Sequence, residues 1–189
     1  MNENRSLRVV VVGVRPPRLP LLDGYALHLF HLLRELSIKH EVFFIALSDG
    51  LNEFADIPGL TSHLVEGNSK DLRKGIRSLV GDCDPHITHL VGAPTARLLR
   101  ALHSDHPVVL GALDAPHVNV EAGNARGLVA STRKLIKRRR VIGSVRRQYG
   151  DAHRVVVVSD EDAQILRQLN PSLSIASIPN GVDVAAFAH

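Results

Sequence analysis

Asp114 and His117, in the stretch VVLGALDAPH, are a carboxylate and an imidazole just beyond an apolar run. Such a pair can position or deprotonate a hydroxyl at the end of a buried strand. The same residues also suit a turn, with Asp114 bonding its own backbone ahead of Ala115 and Pro116. Asp23 and Gly24, in LPLLDGYALHLF, stand where a helix begins. A glycine there lets backbone N–H groups approach an anion that the helix dipole favours, so a phosphate is one occupant. A plain cap by Asp23 is the other reading. The G-x-G-x-x-G pattern of dinucleotide sites is absent, because Gly13 is followed by Val14, Arg15 and two prolines.

Eleven histidines raise the question of a metal, above all in the pairs His28 and His31, His86 and His89, and His103 and His106. The first pair can share a helix face but lacks an evident third ligand, and the second, three apart on a strand, points to opposite faces. No metal is expected. Ser159-Asp160-Glu161-Asp162 has the S-x-x-[DE] form of a helix start, a structural reading.

Charge is distributed unevenly. Residues 122–150 hold nine Arg and Lys and no Asp or Glu, so with a net charge of +4 the remainder of the chain carries −5. Leu128, Leu135, Ile142, Val145 and Tyr149 fall near one stripe of a helix in this segment. That stripe suits core packing, while Lys137, Arg138, Arg139 and Arg140 call for an anionic surface such as a membrane face. Nucleic acid is disfavoured, since Tyr149 is the only aromatic residue available there for stacking.

The elements that must hold these groups follow from periodicity. Residues 8–14 and 41–47 are continuous apolar runs, as strands of a parallel sheet are. Between them Ala26, Leu29, Leu32, Leu33 and Leu36 recur at helical spacing, which makes a βαβ unit. The alternation goes on with a helix at 69–80, a strand at 86–91, a helix at 95–103 and a strand at 107–112. Beyond the basic segment come a strand at 154–159, a helix at 160–169 and a short strand at 173–178. A doubly wound α/β sheet with helices on both faces is the expected fold. Pro179-Asn180-Gly181 then supplies turn chemistry, with asparagine and glycine able to take positive φ.

With 44% hydrophobic and 22% charged residues the chain has the composition of one ordinary globular domain. Cys83 is the single cysteine, so no intrachain disulfide forms, and the amino end lacks a signal peptide's apolar length. A cytoplasmic protein is expected, peripheral at the inner membrane face if it meets a membrane.

Three stretches carry a family resemblance: VVVVSDEDAQIL, SIPNGVDVAAF and LPLLDGYALHLFHLLRELSIKHEV. Together they resemble the amino-terminal domain of GT-B fold, family-four-like retaining glycosyltransferases, and the likeness covers nearly the whole chain. It implies a single Rossmann-like domain, one half of a GT-B architecture, over residues 1–178. Residues 179–189 begin an interdomain linker, with the carboxyl-terminal donor-binding domain absent. The implied donor is a nucleotide-sugar and no other cofactor is required; the acceptor is an unknown sugar, lipid or other molecule.

The resemblance places Asp23 and Gly24 in the donor phosphate loop, Asp114 with His117 near the reacting sugar, and Asn180, Gly181 and Asp183 at the interdomain hinge. Two departures stand out. The family's first loop usually has two glycines where Asp23-Gly24 stands, and its His-Asp pair is Leu113-Asp114 here. One lobe is expected to be inactive alone. The alternatives are half of a nucleotide-sugar epimerase, and a non-catalytic lobe that binds an anionic surface or a separate carboxyl-terminal lobe.

Overall fold

The computed structural model describes residues 5–18, 20, 23–47, 55–65, 69–102, 106–113, 139, 142–143 and 145–181. Seven strands form one sheet in the order β3-β2-β1-β4-β5-β6-β7, and every adjacent pair is parallel. The strands are β1 (Arg8–Gly13), β2 (Glu41–Leu47), β3 (Leu60–Val65), β4 (Ile87–Val91), β5 (Val108–Leu113), β6 (Arg154–Val157) and β7 (Ile175–Ser177).

β1 is central, and Val9, Val10, Val11 and Val12 are all buried. A strand covered on both faces has no polar side to show, which is why its sequence runs apolar without alternation. β3 is the opposite case. At the sheet edge, its Thr61, Ser62 and His63 are exposed. The sequence reading contains no strand there, because an edge with one wet face lacks the continuous apolar signal.

Helices lie on both faces for a topological reason. From β1 the chain winds outward one way to β2 and β3, then crosses back to β4 and winds the other way to β7. Right-handed crossovers in opposite directions must put their helices on opposite faces. Helix α1 (Gly24–Lys39) accordingly packs Leu29 and Leu33 against Val9, Val11, Val42 and Phe44. Helices α2 (Ser69–Cys83), α3 (Leu99–Leu102) and α4 (Asp160–Leu169) supply Ile76, Leu99 and Leu166 to the other core, with Val10, Val12, Leu90 and Leu110. Val145 and Tyr149, from the basic segment, are buried in that second core. Core packing is therefore the role of that part of the stripe.

Helix ends are fixed by their capping side chains. Ser159 Oγ accepts from the Asp162 amide at 3.1 Å and donates to the Asp162 carboxylate at 2.7 Å, which starts α4 as the S-x-x-[DE] pattern anticipates. The helix anticipated at 95–103 is instead a 3₁₀ turn, Ala93–Leu98, running into the single α-turn of α3. Pro94 at its start and the short span between β4 and β5 favour the tighter winding.

Candidate functional site

In an open parallel sheet, ligands collect at the carboxyl ends of the strands, where the winding direction reverses. Here the reversal lies between β1 and β4. Glycines stand at that point, Gly13 closing β1 and Gly92 just after β4, and the Tyr25 ring of α1 occupies the space that side chains would fill. A Cβ on Gly13 would stand 2.8 Å from the Tyr25 hydroxyl, and one on Gly92 3.3 Å from the ring. Gly92 also has φ +93°, a left-handed conformation that L side chains rarely adopt. Its carbonyl accepts from Thr95 Oγ1 at 2.7 Å, and its amide donates to the Gly111 carbonyl at 2.7 Å. The Tyr25 hydroxyl accepts from the Val14 amide at 2.7 Å, and burial raises its pKa.

Asp23 is the N-cap of α1. Its Oδ1 accepts from the Ala26 amide at 2.9 Å and its Oδ2 pairs with the Arg15 guanidinium at 2.6 Å. The Ala26 amide first, and Arg15 second, hold this carboxyl below its usual range. Arg15 also lies over the Tyr25 ring, 5.3 Å from its centroid. Of the two sequence readings of Asp23-Gly24, the cap is the one that the structure displays. The cap is formed, and Gly24 has nothing within 4 Å of where a Cβ would be, so its backbone stays open to a ligand.

A second polar cluster lies on the α1 side of the sheet. His28 Nδ1, in the second turn of α1, is 3.2 Å from Asn180 Oδ1, in the turn after β7. Burial lowers the His28 pKa. Beneath it His89, in the middle of β4, is half-buried as a residue while its Nε2 is enclosed and without a hydrogen-bond partner among the described residues. Desolvation, then the charge of His28, press the His89 pKa down to about 4. Nε2 lies 2.7 Å from where a Gly111 Cβ would stand, so the ring takes the space over that glycine. Two residues on, Leu113 has φ +64° and β5 changes register against β6. A non-glycine residue in that region stores strain, and such strain gathers at functional sites.

Of the residues singled out from sequence, Asp23 and Gly24 flank the crevice at the β1–β4 reversal. Asn180 and Gly181 are exposed beyond β7, and Asn180 touches α1. Neither uses the positive φ that its residue type allows: among the described residues this occurs at Gly59, Asp84, Gly92 and Leu113. Arg139 is helical and exposed. Asp114, His117, Lys137, Arg138, Arg140 and Asp183 lie outside the described residues. Among the described residues no group of three or more His, Cys, Asp or Glu could hold a metal, and no helix is long and apolar enough to cross a membrane.

Tyr25 and Gly111 are the parts that sequence reasoning missed, and His89 was considered only as half of a histidine pair. Three glycines at or next to the ends of apolar strands were the available signal for the crevice. A histidine in the apolar run HITHLV was the signal for His89.

Comparison with known proteins agrees with this geometry. The family model described as Glycosyltransferase Family 4 matches residues 22–186. Sucrose-phosphate synthase from Thermosynechococcus elongatus is similar in structure, with a TM-score of 0.76 at 10% identity over 96% of this chain and 49% of that one. The lipopolysaccharide outer core galactosyltransferase WaaB, in its apo form, superposes with a TM-score of 0.58 at 11% identity, over 93% of this chain and 46% of that one. The chain thus spans about half the length of these solved structures. No curated protein sequence matches it.

Proposed function

The chain belongs to Glycosyltransferase Family 4, and we propose that it is the amino-terminal, acceptor-side domain of a retaining enzyme that moves a sugar from a nucleotide-sugar donor to an acceptor. The family match over residues 22–186 carries this reading. The likeness to about half of sucrose-phosphate synthase supports the two-lobe arrangement. On this reading residues 1–178 form the domain, residues 179–189 begin the linker, and a second lobe binds most of the donor.

The residues divide the work by position. The open backbone of Gly24 at the start of α1, beside Arg15, receives the donor diphosphate. Asp23 already occupies the helix terminus, so the phosphate shares Arg15 with it. Asp114, with His117, works near the reacting sugar at the end of β5, just past the strained Leu113. Asn180, Gly181 and Asp183 form the hinge on which the lobes close.

Closure excludes water and surrounds an oxocarbenium-like transition state with fixed donors. A single lobe supplies only part of that shell. The exposed Arg139, together with Lys137, Arg138 and Arg140, would hold the enzyme to an anionic membrane surface from the cytoplasmic side.

The test is a transfer assay with uridine, guanosine and adenosine diphosphate sugars and a panel of acceptors. The 189-residue chain alone should turn over negligibly. A polypeptide that continues into a second α/β lobe should form product with the donor's anomeric configuration. Robust multiple turnover by the chain alone, or an inverted product, would overturn the reading.

A further inference from the structure

Three strands of the sheet begin behind a histidine whose imidazole completes a neighbouring strand. The His86 amide donates to the Arg8 carbonyl at 2.9 Å, and the Arg8 amide donates back to His86 Nδ1 at 2.9 Å. His153 repeats this with Val108: its amide donates to the Val108 carbonyl at 2.9 Å, and its Nδ1 accepts from the Val108 amide at 3.1 Å. A third, longer contact runs from the Leu7 amide to His40 Nδ1 at 3.4 Å, beside the bond from the Glu41 amide to the Leu7 carbonyl. The entry of β1 is thereby held from both of its neighbours.

The rings stand where the ladder runs out. In a parallel pair a residue bonds to two positions of the neighbouring strand that are two apart, so the Leu7, Arg8 and Val108 amides would donate to the carbonyls of Lys39, Asp84 and Asp151. Lys39 ends α1, Asp84 follows the last residue of α2 with φ +42°, and Asp151 ends a 3₁₀ turn. The chain arrives there from a helix, and an imidazole lone pair supplies the acceptor instead.

Two of the clasps have the same sequence form, Asp84-Pro85-His86 and Asp151-Ala152-His153, each leading into a strand. Both aspartates are paired, Asp84 with Arg8 and Asp151 with Arg100. The other titratable groups at hand are Lys39 and Glu41 beside His40, Asp82 and Cys83 near His86, and Arg154 beside His153. His106, joined to Thr88 Oγ1 at 2.8 Å, lies between the two clasps.

We propose that His86 and His153, with His40 as a looser third, form an acid-sensitive latch at the amino-terminal edge of the sheet, closed while the rings are neutral and released when they are protonated. A ring nitrogen that accepts from an amide carries no proton, so each clasping ring keeps its proton on Nε2, whereas an imidazolium has N–H on both nitrogens and accepts nothing. Protonation and the clasp exclude each other. Opening therefore takes up protons, which makes acid favour the open form, and histidine is the side chain that ordinarily changes charge between about pH 5 and 8. The latch lies at the opposite end of the sheet from the crevice, so acid loosens the entries of β1 and β5 without touching a residue of the site.

The experiment uses the ¹⁵N-labelled 189-residue chain at about pH 8 and about pH 5, the two ends of the histidine range. Nitrogen–nitrogen coupling through the hydrogen bond should join the Arg8 amide to His86 Nδ1 and the Val108 amide to His153 Nδ1 at the higher pH, and vanish at the lower. Over the same interval the protection of these two amides from hydrogen exchange, referred to the intrinsic rate, should fall about fivefold more than that of Val155, whose amide donates to the Ser174 carbonyl at 2.8 Å. In H86N and H153N a side-chain oxygen that does not titrate can take the place of Nδ1, so the amide it holds should keep pace with Val155.

Couplings absent at the higher pH or persisting at the lower one overturn the proposal. So does a decline in protection that is equal at Arg8, Val108 and Val155, or one that the asparagine variants leave unchanged. The couplings are read in the wild type, so they decide the matter even if a variant fails to fold.

Discussion

His28 Nδ1 lies 3.2 Å from Asn180 Oδ1, a contact across 152 positions of sequence that ties the second turn of α1 to the turn leaving β7. α1 begins at the capped, open Gly24, so one rigid helix touches the proposed phosphate site at its start and the proposed hinge one turn later. Replacing Asn180 with Ala removes this contact. The expected loss of stability is about 1 kcal/mol. Hydrogen exchange should quicken at the Ile178 amide, which donates to the Val157 carbonyl at 2.8 Å. Unchanged exchange there would mean that the contact holds nothing in place.

Gly24 separates structural from functional need. Nothing lies within 4 Å of a Cβ at that position, and alanine is the better helix former. G24A should therefore keep or raise stability, by up to about 1 kcal/mol, while weakening the binding of inorganic pyrophosphate. Thermal unfolding and a pyrophosphate titration read the two effects separately. Equal pyrophosphate affinity in both proteins would remove Gly24 from the site.

Gly92 should behave in the opposite way. G92A forces a side chain into a left-handed φ of +93° and against Val14 and Tyr25. A loss of at least about 1–3 kcal/mol is expected from the backbone alone. Chemical denaturation would measure it, and a neutral substitution would show that the β1–β4 crevice is not closely packed around Tyr25.

At Asp23 the cap and the anion site compete. D23A should destabilise by about 1 kcal/mol through the lost cap, whereas D23N keeps a capping oxygen and should be nearly neutral. D23N also frees Arg15 and removes a negative charge from the helix start, so it should bind pyrophosphate more tightly than the wild type. Because the Asp23 pKa is lowered in the folded chain, its contribution is present at neutral pH. It is lost as pH falls through the folded value. Calorimetric titration of D23N with pyrophosphate decides the competition.

His89 predicts a pH dependence of opposite origin. Its folded pKa is about 4 against an ordinary 6.5. As pH falls between those values, the unfolded chain takes up a proton that the folded chain refuses. Stability is therefore full above about 6.5 and falls on acidification, by an amount on the order of 3 kcal/mol near pH 4. His28, also lowered, acts in the same direction. H89F should flatten this slope in urea unfolding curves taken across the range. A slope identical to the wild type would place the acid sensitivity elsewhere.

Much of the fold was legible because its signals are local. β2 and α4 have the bounds that their apolar runs and caps suggest, and α1 runs three residues past Leu36, the last residue of its apolar stripe. β3 escaped because an edge strand with Thr61, Ser62 and His63 exposed has no run to detect. The site was legible only in part. Asp23-Gly24 and Asn180 stand out by residue type, but their link through His28 is a contact between distant segments. His89 was weighed as half of a metal pair, and only the folded structure shows that its ring lies over Gly111, two residues beyond its register partner Val109.

The central claim is that the crevice at the carboxyl ends of β1 and β4 is this domain's share of a sugar-transfer site. Backbone amide NMR during titration with uridine diphosphate tests it most directly. The account predicts weak, saturable shifts centred on Gly24, Tyr25 and Gly92, reduced in G24A. Shifts centred instead on Gly81 and Ala101, which line a groove of about 240 Å³ with Arg77 and His106 at the other end of the sheet, would contradict it, as would no shift at all.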